Sequence, residues 1–231
     1  TNSHLNNQKF DEKNKMKKYS ATVFGATGLV GKQLVEQLAE NDAYDKVLVA
    51  NRREIDYEND KITSMVIDFN RLEDYSSLFE VNHLFICLGT TIKKAGSKEN
   101  FKKVDLELPK RIAKLSAKHH VDKVLMISSV GANAKSSNFY TKTKGEAEEV
   151  LKEVLGDKAF IVRPSMLLGD RKEFRFGEEV GKVIVKALSF LIPKKYKGIY
   201  DYEVARAMIK IAQSQTNQQV FESDELKKII K

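Results

Sequence analysis

The chain of 231 residues is long enough for one sizeable α/β domain with its own core, and a second full domain would be difficult to accommodate. Hydrophobic residues make up 42% of it and charged residues 31%. No window approaches the ~18 consecutive apolar residues of a membrane-spanning helix. These properties predict a soluble protein with no membrane partner.

The net charge of +8 raises the question of nucleic-acid binding. Five lysines and two acids in residues 1–18 account for +3 of this charge, and the remaining +5 is modest for the size of the chain. We therefore expect no nucleic-acid partner. Residues 1–18 contain few apolar side chains, and they are predicted to be a disordered basic tail or a vector-derived leader, with Met16 as an alternative start.

Cysteine usage and the polar, lysine-rich start bear on the compartment. The only cysteine is Cys87, so an internal disulfide framework is excluded, and we interpret this residue as a buried small hydrophobe rather than a nucleophile. No secretory signal pattern opens the sequence. Together these features predict a cytoplasmic location.

From residue 19 onwards, short apolar runs alternate with amphipathic segments. The strand candidates lie in SATVFG, KVLVANRR, TSMVIDF, HLFICLG, KVLMISSVG and AFIVRPSMLLGD. Helical patterns lie in GKQLVEQLAEN, DLELPKRIAKLSAKHH and FYTKTKGEAEEVLKEVL. Runs of Val, Ile, Leu and Phe are typical of parallel strands buried on both faces. The predicted class is therefore α/β, as a Rossmann-type doubly wound parallel sheet with helices on both faces.

The pattern changes after Gly169. Two further helical stretches, 180–191 and 202–213, follow a charged loop that contains Phe174 and Phe176. These two rings either line a substrate pocket or only anchor the loop. We predict one domain over residues 19–231, in which residues 170–231 contribute a small C-terminal cap over the sheet.

The stretch GATGLVG, residues 25–31, lies between the first strand candidate and the first helical pattern. A tight turn, a close backbone approach and close helix packing each favour a residue without Cβ, and the helix N-terminus would face a pyrophosphate. The alternative is a plain strand-to-helix turn. We predict a dinucleotide site whose contacts in this loop are Gly25, Thr27, Gly28, Leu29, Val30 and Gly31.

The end of the second strand discriminates between the two nicotinamide dinucleotides. An Asp or Glu about twenty residues after the last glycine would bind the ribose 2′-hydroxyl of NAD. This chain instead has Asn51, Arg52 and Arg53, and the guanidinium groups suit a 2′-phosphate. We therefore predict NADP(H), with NAD(H) as the less favoured cofactor. The alternative is that the arginines are solvated loop charges.

Two other strand ends supply candidate cofactor contacts. Asp68, in VIDF, would accept a hydrogen bond from the adenine amino group or cap its own loop. Leu88 and Gly89 end FICLG, where the glycine permits a second close approach of the backbone to the cofactor.

The stretch ISSVGANAKSSNFYTKTKG contains residues suited to proton transfer. Tyr140 and Lys144 lie four residues apart and share one face of a predicted helix. A lysine ammonium close to a phenol favours the phenolate form, so this tyrosine is a candidate acid and base for a carbonyl or an alcohol. Ser129, or alternatively Ser128, would hold the developing oxyanion. Tyr57 and Lys61 match the same spacing, and we interpret that match as chance.

Together the glycine loop, Asp68, the serine pair, Tyr140 with Lys144, and RPSMLLGD resemble the short-chain dehydrogenase/reductase superfamily. The likeness is greatest to its atypical branch, which includes the Tat-interacting oxidoreductases and their bacterial relatives. The resemblance implies that Ser129, Tyr140 and Lys144 are catalytic, and that Tyr140 and Lys144 also contact the cofactor, with Lys144 at the nicotinamide ribose. It also implies that Pro164, after the sixth strand, lies beside the nicotinamide. Many members also have a helical Asn that completes a proton relay. This chain has Val104 and Asp105 near that place, with Asn100 a turn earlier.

The sequence therefore predicts a single NAD(P)-binding domain with NADP(H)-dependent oxidoreductase activity on a carbonyl or hydroxyl of a small molecule. One alternative is a non-catalytic NADP(H) sensor or scaffold, and another is an NAD-dependent sugar-nucleotide epimerase or dehydratase. No metal site is expected, because the four histidines show no ligand spacing. Whether the chain forms a homodimer or binds a protein partner stays open.

Overall fold

A computed structural model describes residues 18–169, 193 and 196–231. The strands in these residues are β1 (Tyr19–Phe24), β2 (Tyr44–Asn51), β3 (Ile62–Val66), β4 (His83–Ile86), β5 (Lys123–Ile127), β6 (Ala159–Arg163), β7 (Leu167–Leu168), β8 (Ile199–Tyr200) and β9 (Val220–Glu222). The α-helices are α1 (Leu29–Glu40), α2 (Ile92–Ala95), α3 (Lys98–Lys102), α4 (Leu108–Lys118), α5 (Phe139–Leu155), α6 (Asp201–Gln213) and α7 (Ser223–Ile229).

Tighter and wider helical turns connect some of these elements. The 3₁₀ segments are Phe69–Asp74, Ser76–Phe79 and Gly156–Lys158, and a π-helical turn, Lys103–Glu107, joins α3 to α4. In the described part of the chain, seven strands form one parallel sheet in the order β3-β2-β1-β4-β5-β6-β9, while β7 and β8 pair as a separate parallel ribbon. The predicted Rossmann-type α/β class is confirmed.

Helices cover both faces of the sheet, and each face has its own hydrophobic core. One face packs against α1, α6 and α7, with Leu34, Met208 and Leu226 among its fully buried side chains. The opposite face packs against α4 and α5, with Ile112 and Leu151 in its core. The sheet is thus covered on both sides, as the unbroken apolar runs predicted.

Alternation along the strands explains why these runs are apolar throughout. In β4, Phe85 points to the α1 face, whereas Leu84 and Ile86 point to the α4 face. Successive side chains of a strand point to opposite sides, so a strand covered on both sides requires apolar residues at every position.

The strand order reverses at β1, whose neighbours are β2 on one side and β4 on the other. In a doubly wound sheet, a crevice opens at such a point, outside the carboxyl ends of the strands. The glycine loop follows β1, and Leu88 and Gly89 follow β4. Both segments therefore lie at the switch point.

The C-terminal part of the chain differs from the predicted cap. Residues 201–213 form the predicted helix, but this helix, α6, packs against α1 on a face of the main sheet. Residues 220–222 form β9, which extends the sheet beside β6. The cap expectation is therefore wrong for these residues, because the apolar face of α6 is buried in the sheet core. The rest of the predicted cap, including helix 180–191, Phe174 and Phe176, lies outside the described residues, as does the tail up to residue 17.

In the described ranges we find no helix both long and apolar enough to cross a membrane.

Candidate functional site

The glycine loop adopts a geometry that excludes side chains at two of its three glycines. Gly25 has a φ of +88°, and a Cβ there would lie 2.6 Å from the carbonyl carbon and oxygen of Cys87. A Cβ on Gly31 would lie 2.1 Å from the carbonyl oxygen of Gly25. The loop is thereby pressed against the end of β4 on one side and against α1 on the other.

The same loop leaves the start of α1 available to an anion. Gly28 is the N-cap residue, so no side chain caps the first turn, and that turn contains no acidic residue. The first backbone N–H groups of a helix have no partner within the helix, and its dipole favours negative charge there. These features fit the pyrophosphate of a dinucleotide.

A cleft of about 1230 Å³ opens along the carboxyl ends of the strands. Its lining contains nearly all of the site residues predicted from the sequence: Gly25, Thr27, Gly28, Leu29, Val30, Asn51, Arg52, Arg53, Leu88, Gly89, Ser129, Tyr140, Lys144 and Pro164. Two predicted residues do not line it. Gly31 is buried under the loop, where it permits close packing, and Asp68 is an exposed residue outside the cleft lining.

Asp68 has the capping role that the sequence left as an alternative. Its carboxylate accepts hydrogen bonds from the backbone N of Asn70 at 2.9 Å and from the side-chain amide of Asn70 at 3.1 Å. The next residue, Phe69, lines the cleft instead and offers an apolar surface there.

The end of β2 contributes one buried and two exposed polar side chains. Asn51 is 4% exposed and donates a hydrogen bond to Ser64 Oγ at 3.1 Å, so its amide also ties β2 to β3. Arg52 and Arg53 are exposed at the edge of the cleft. Within the described ranges neither arginine forms an ion pair.

Helix α5 positions Tyr140 and Lys144. The Asn138 side chain caps the helix by accepting a hydrogen bond from the Thr141 N–H at 3.1 Å, which sets Tyr140 in the first turn. The ring of Phe101, from α3, packs against the Tyr140 ring at 5.7 Å between centroids. Lys144 lies one turn later and is only 7% exposed. Both residues line the cleft together with Ser129.

Close packing also fixes the loop after β5 against α5. A Cβ on Gly145 would lie 2.1 Å from the backbone N of Ala134, so only glycine permits this approach. The backbone N of Asn133 donates to the carbonyl of Thr141 at 3.0 Å. The loop after β5, which contains Ser129, and helix α5, which contains Tyr140, are therefore held together as one wall of the cleft.

The two serines have different partners. Ser128 donates its hydroxyl hydrogen bond to Glu148, whose carboxylate also accepts from Arg163 Nε at 2.9 Å. The Ser129 hydroxyl contacts only the carbonyl of its neighbour Val130, at 3.3 Å, among the described residues. Ser128 is thus engaged in a buried polar network. This contrast favours Ser129 as the hydroxyl available to a ligand.

Sequence reasoning missed a buried ion pair at the cleft. Asp105 lies in the π-helical turn, and its Oδ1 pairs with Lys144 Nζ at 2.7 Å. Its Oδ2 accepts a hydrogen bond from the backbone N of Thr90 at 2.9 Å. The signal in the sequence is an acidic residue between Val104 and Leu106, near the place where many members of the superfamily have an Asn.

The remaining candidate groups have structural roles. Cys87 lines the cleft, but burial raises the pKa of its thiol to about 12, so the reactive thiolate is disfavoured. His83 is buried, and its Nδ1 contacts the Tyr44 hydroxyl at 2.7 Å. No group of three or more His, Cys, Asp or Glu side chains is placed to bind a metal in the described part of the chain.

The chain is similar in sequence to a known family and to known proteins. A family described as NAD(P)H-binding matches residues 25–215. Protein HTATIP2 of Rattus norvegicus is 34% identical over 174 residues, which cover 74% of this chain and 72% of that protein. The mitochondrial protein FMP52-1 of Scheffersomyces stipitis is 33% identical over 208 residues, covering 84% of this chain and 88% of that protein.

Solved structures confirm the fold. ADP-L-glycero-D-manno-heptose-6-epimerase of Helicobacter pylori superposes with a TM-score of 0.65, over 93% of this chain and 81% of the epimerase. The sequence identity is 16%, so this likeness concerns the fold alone.

The relatives contradict the cytoplasmic location expected from the sequence. The FMP52 proteins of Scheffersomyces stipitis, Candida albicans and Candida glabrata are named as mitochondrial proteins. A single cysteine bears only on disulfide formation, and it does not discriminate among the compartments in which thiols stay reduced.

The family match spans most of the chain, two relatives exceed 30% identity over most of their length, and the glycine loop fits a dinucleotide pyrophosphate. The chain belongs to the NAD(P)H-binding family, in the atypical branch of the short-chain dehydrogenases/reductases that is related to HTATIP2 and FMP52.

Proposed function

We propose that this protein is an NADP(H)-dependent oxidoreductase that interconverts a carbonyl and an alcohol on a small molecule. One observation carries the proposal: Ser129, Tyr140 and Lys144 line the same cleft as the glycine loop. The same cleft therefore contains a group that can exchange a proton with a substrate and a loop that can bind a dinucleotide. A binding protein without activity would not require that arrangement.

The preference for NADP(H) rests on the end of β2. Arg52 and Arg53 are exposed at the cleft, and the residue before them is a neutral Asn rather than an acid. A guanidinium group presents planar paired donors that match a phosphate, whereas a carboxylate in this position would repel it. Both arginines are thus suited to a 2′-phosphate.

A nicotinamide dinucleotide bound in the cleft would supply or accept the hydride. In reduction, the Tyr140 hydroxyl gives its proton to the substrate oxygen as negative charge develops there, and in oxidation the phenolate takes the proton back. The Ser129 hydroxyl donates a hydrogen bond to the same oxygen. The Lys144 ammonium would donate a hydrogen bond to the nicotinamide ribose.

A carbonyl screen with Tyr140→Phe tests this assignment. The wild-type protein is incubated with NADPH and a panel of aldehydes and ketones, and consumption of NADPH is followed. Removing the phenol hydroxyl should lower kcat by 10²-fold or more, because general acid catalysis contributes about 10²–10⁴-fold. NADPH affinity should change little.

Tyr202→Phe is the matched control, since this tyrosine is exposed on α6 and does not line the cleft. Equal turnover by the wild type and Tyr140→Phe would contradict the assignment. NADPH binding without turnover of any carbonyl or alcohol would favour a sensor, and copurified NAD would favour an epimerase.

A further inference from the structure

The cleft contains a buried carboxylate that the proposed chemistry does not use. The Asp105 side chain is 0% exposed and belongs to the π-helical turn between α3 and α4. Such turns are rare, and they frequently occur at functional sites because the extra residue redirects a side chain. A buried carboxylate is costly unless it is paired and hydrogen-bonded, so its partners define its role.

Each oxygen of Asp105 serves a different segment of the chain. Oδ1 lies 2.7 Å from Lys144 Nζ on α5, and Oδ2 accepts from the backbone N of Thr90 at 2.9 Å. Thr90 immediately follows Gly89, a predicted cofactor contact in the loop after β4. One carboxylate therefore joins three walls of the cleft: the π-helical turn, the α5 helix and the loop after β4.

To match these two partners, both terminal atoms of the side chain at position 105 must be acceptors. Both partners of Asp105 are donors, an ammonium and a backbone N–H. An asparagine of the same size would offer one oxygen and one NH₂ group, so the NH₂ would face either the ammonium or the Thr90 N–H. A glutamate would carry both acceptors but add a methylene to a fully buried position, which displaces the carboxylate.

We propose that Asp105 is the positioning residue for Lys144, which it holds by direct ion pairing while its second oxygen fixes the loop after β4. The ammonium is then fixed in the cleft wall before any ligand arrives. The ion pair does not depend on the proposed function. Its consequence for cofactor affinity does, because that consequence assumes that Lys144 contacts the nicotinamide ribose.

Two measurements on Asp105→Asn test the proposal. The first is acetylation of the folded protein by acetic anhydride, with the extent at Lys144 read by peptide mass spectrometry relative to Lys142, an exposed lysine on the same helix. Loss of the carboxylate should raise this ratio at least fivefold.

The second measurement is the Kd for NADPH by calorimetry, which should rise at least fivefold in Asp105→Asn. Lys144→Met should weaken NADPH binding to a similar degree, with no further loss in the double variant.

Asp122→Asn is the matched control, because this exposed carboxylate accepts a hydrogen bond from Asn82 at 2.9 Å and does not line the cleft. If Asp105→Asn does not fold, Asp105→Glu replaces it, and the labelling ratio should then lie above the wild-type value.

An unchanged labelling ratio would overturn the proposal, even if the melting temperature fell, since the carboxylate would then be only structural. A raised ratio with unchanged NADPH affinity would confirm that Asp105 holds Lys144 and would overturn the proposed consequence for cofactor affinity. If the wild-type protein bound no NADPH, the proposed function would fail, and the labelling ratio alone would decide whether Asp105 holds Lys144.

Discussion

Backbone stereochemistry defines the dinucleotide cradle at the level of single residues. Gly25 adopts a positive φ, which residues with a side chain rarely adopt. Gly31 lies directly against the carbonyl oxygen of Gly25. Since the nearest atoms belong to the backbone, they cannot rotate away as a side chain would. The spacing of the glycines in the sequence therefore reports a physical constraint.

Gly31→Ala should disrupt the loop. Its Cβ would lie 2.1 Å from the Gly25 carbonyl oxygen, so either the turn or α1 must shift. We expect the free energy of unfolding to fall by about 1–3 kcal/mol, the usual range for overpacking, and NADPH affinity to fall with it. Urea denaturation and calorimetry measure the two effects. Lys32→Ala, at the next, exposed position, is the control, and wild-type stability of the Gly31→Ala protein would contradict the close approach.

The role of a single residue could be predicted only where the backbone geometry permits one residue type. The glycines met that condition. Asp68 did not, because a short acidic side chain after a strand is equally suited to a ligand and to its own loop, and the nearby Asn70 donors decided for the loop. Asp105 was missed because its partners, Thr90 and Lys144, are distant in sequence and are brought together only by the fold.

Helix α5 shows how one element organises the site. Its face toward the sheet carries Lys144 at the cleft and Glu148 one turn further on. Glu148 is 3% exposed, and it accepts hydrogen bonds from Ser128 after β5 and from Arg163 at the end of β6. The same contact raises the pKa of the Arg163 guanidinium. Two strand ends are thus tied to the helix behind the cleft wall.

Glu148→Ala should destabilise this part of the fold. Removing one partner of a buried ion pair costs about 3–5 kcal/mol, and the 23% exposure of the Arg163 side chain argues for the lower end, about 3 kcal/mol. Urea denaturation of the variant measures this loss. Glu149→Ala, at the adjacent exposed position, should stay within about 0.5 kcal/mol of wild type. A Glu148→Ala protein as stable as that control would contradict the bracing role.

Element type was easier to predict than element position. The periodicity of residues 202–213 correctly indicated a helix, because apolar residues recur along one face. Periodicity identifies the buried face but not the surface that buries it. The helix was therefore assigned to a cap, whereas the structure packs it on the sheet against α1.

At the scale of the whole molecule, the fold followed from the alternation of apolar strands with amphipathic helices. That alternation requires a parallel sheet with crossover helices, and the crossover rules leave few arrangements. The meeting of Ser129, Tyr140 and Lys144 with the glycine loop in one cleft follows from the same rule. The glycine loop and Ser129 follow the carboxyl ends of strands, and Tyr140 and Lys144 lie in the first two turns of the helix after β5. The cellular location does not follow from the fold, and there the sequence prediction was wrong.

The most direct test of the central proposal is a calorimetric titration of the protein with NADPH and with NADH. We expect tight binding of NADPH and weaker binding of NADH. In the Arg52→Ala/Arg53→Ala variant, NADPH affinity should fall at least tenfold, about 1.4 kcal/mol, while NADH affinity stays unchanged. Arg206→Ala, an exposed arginine on α6, is the control. Failure of the wild-type protein to bind either nucleotide would contradict the account, because Tyr140 would then have no hydride source.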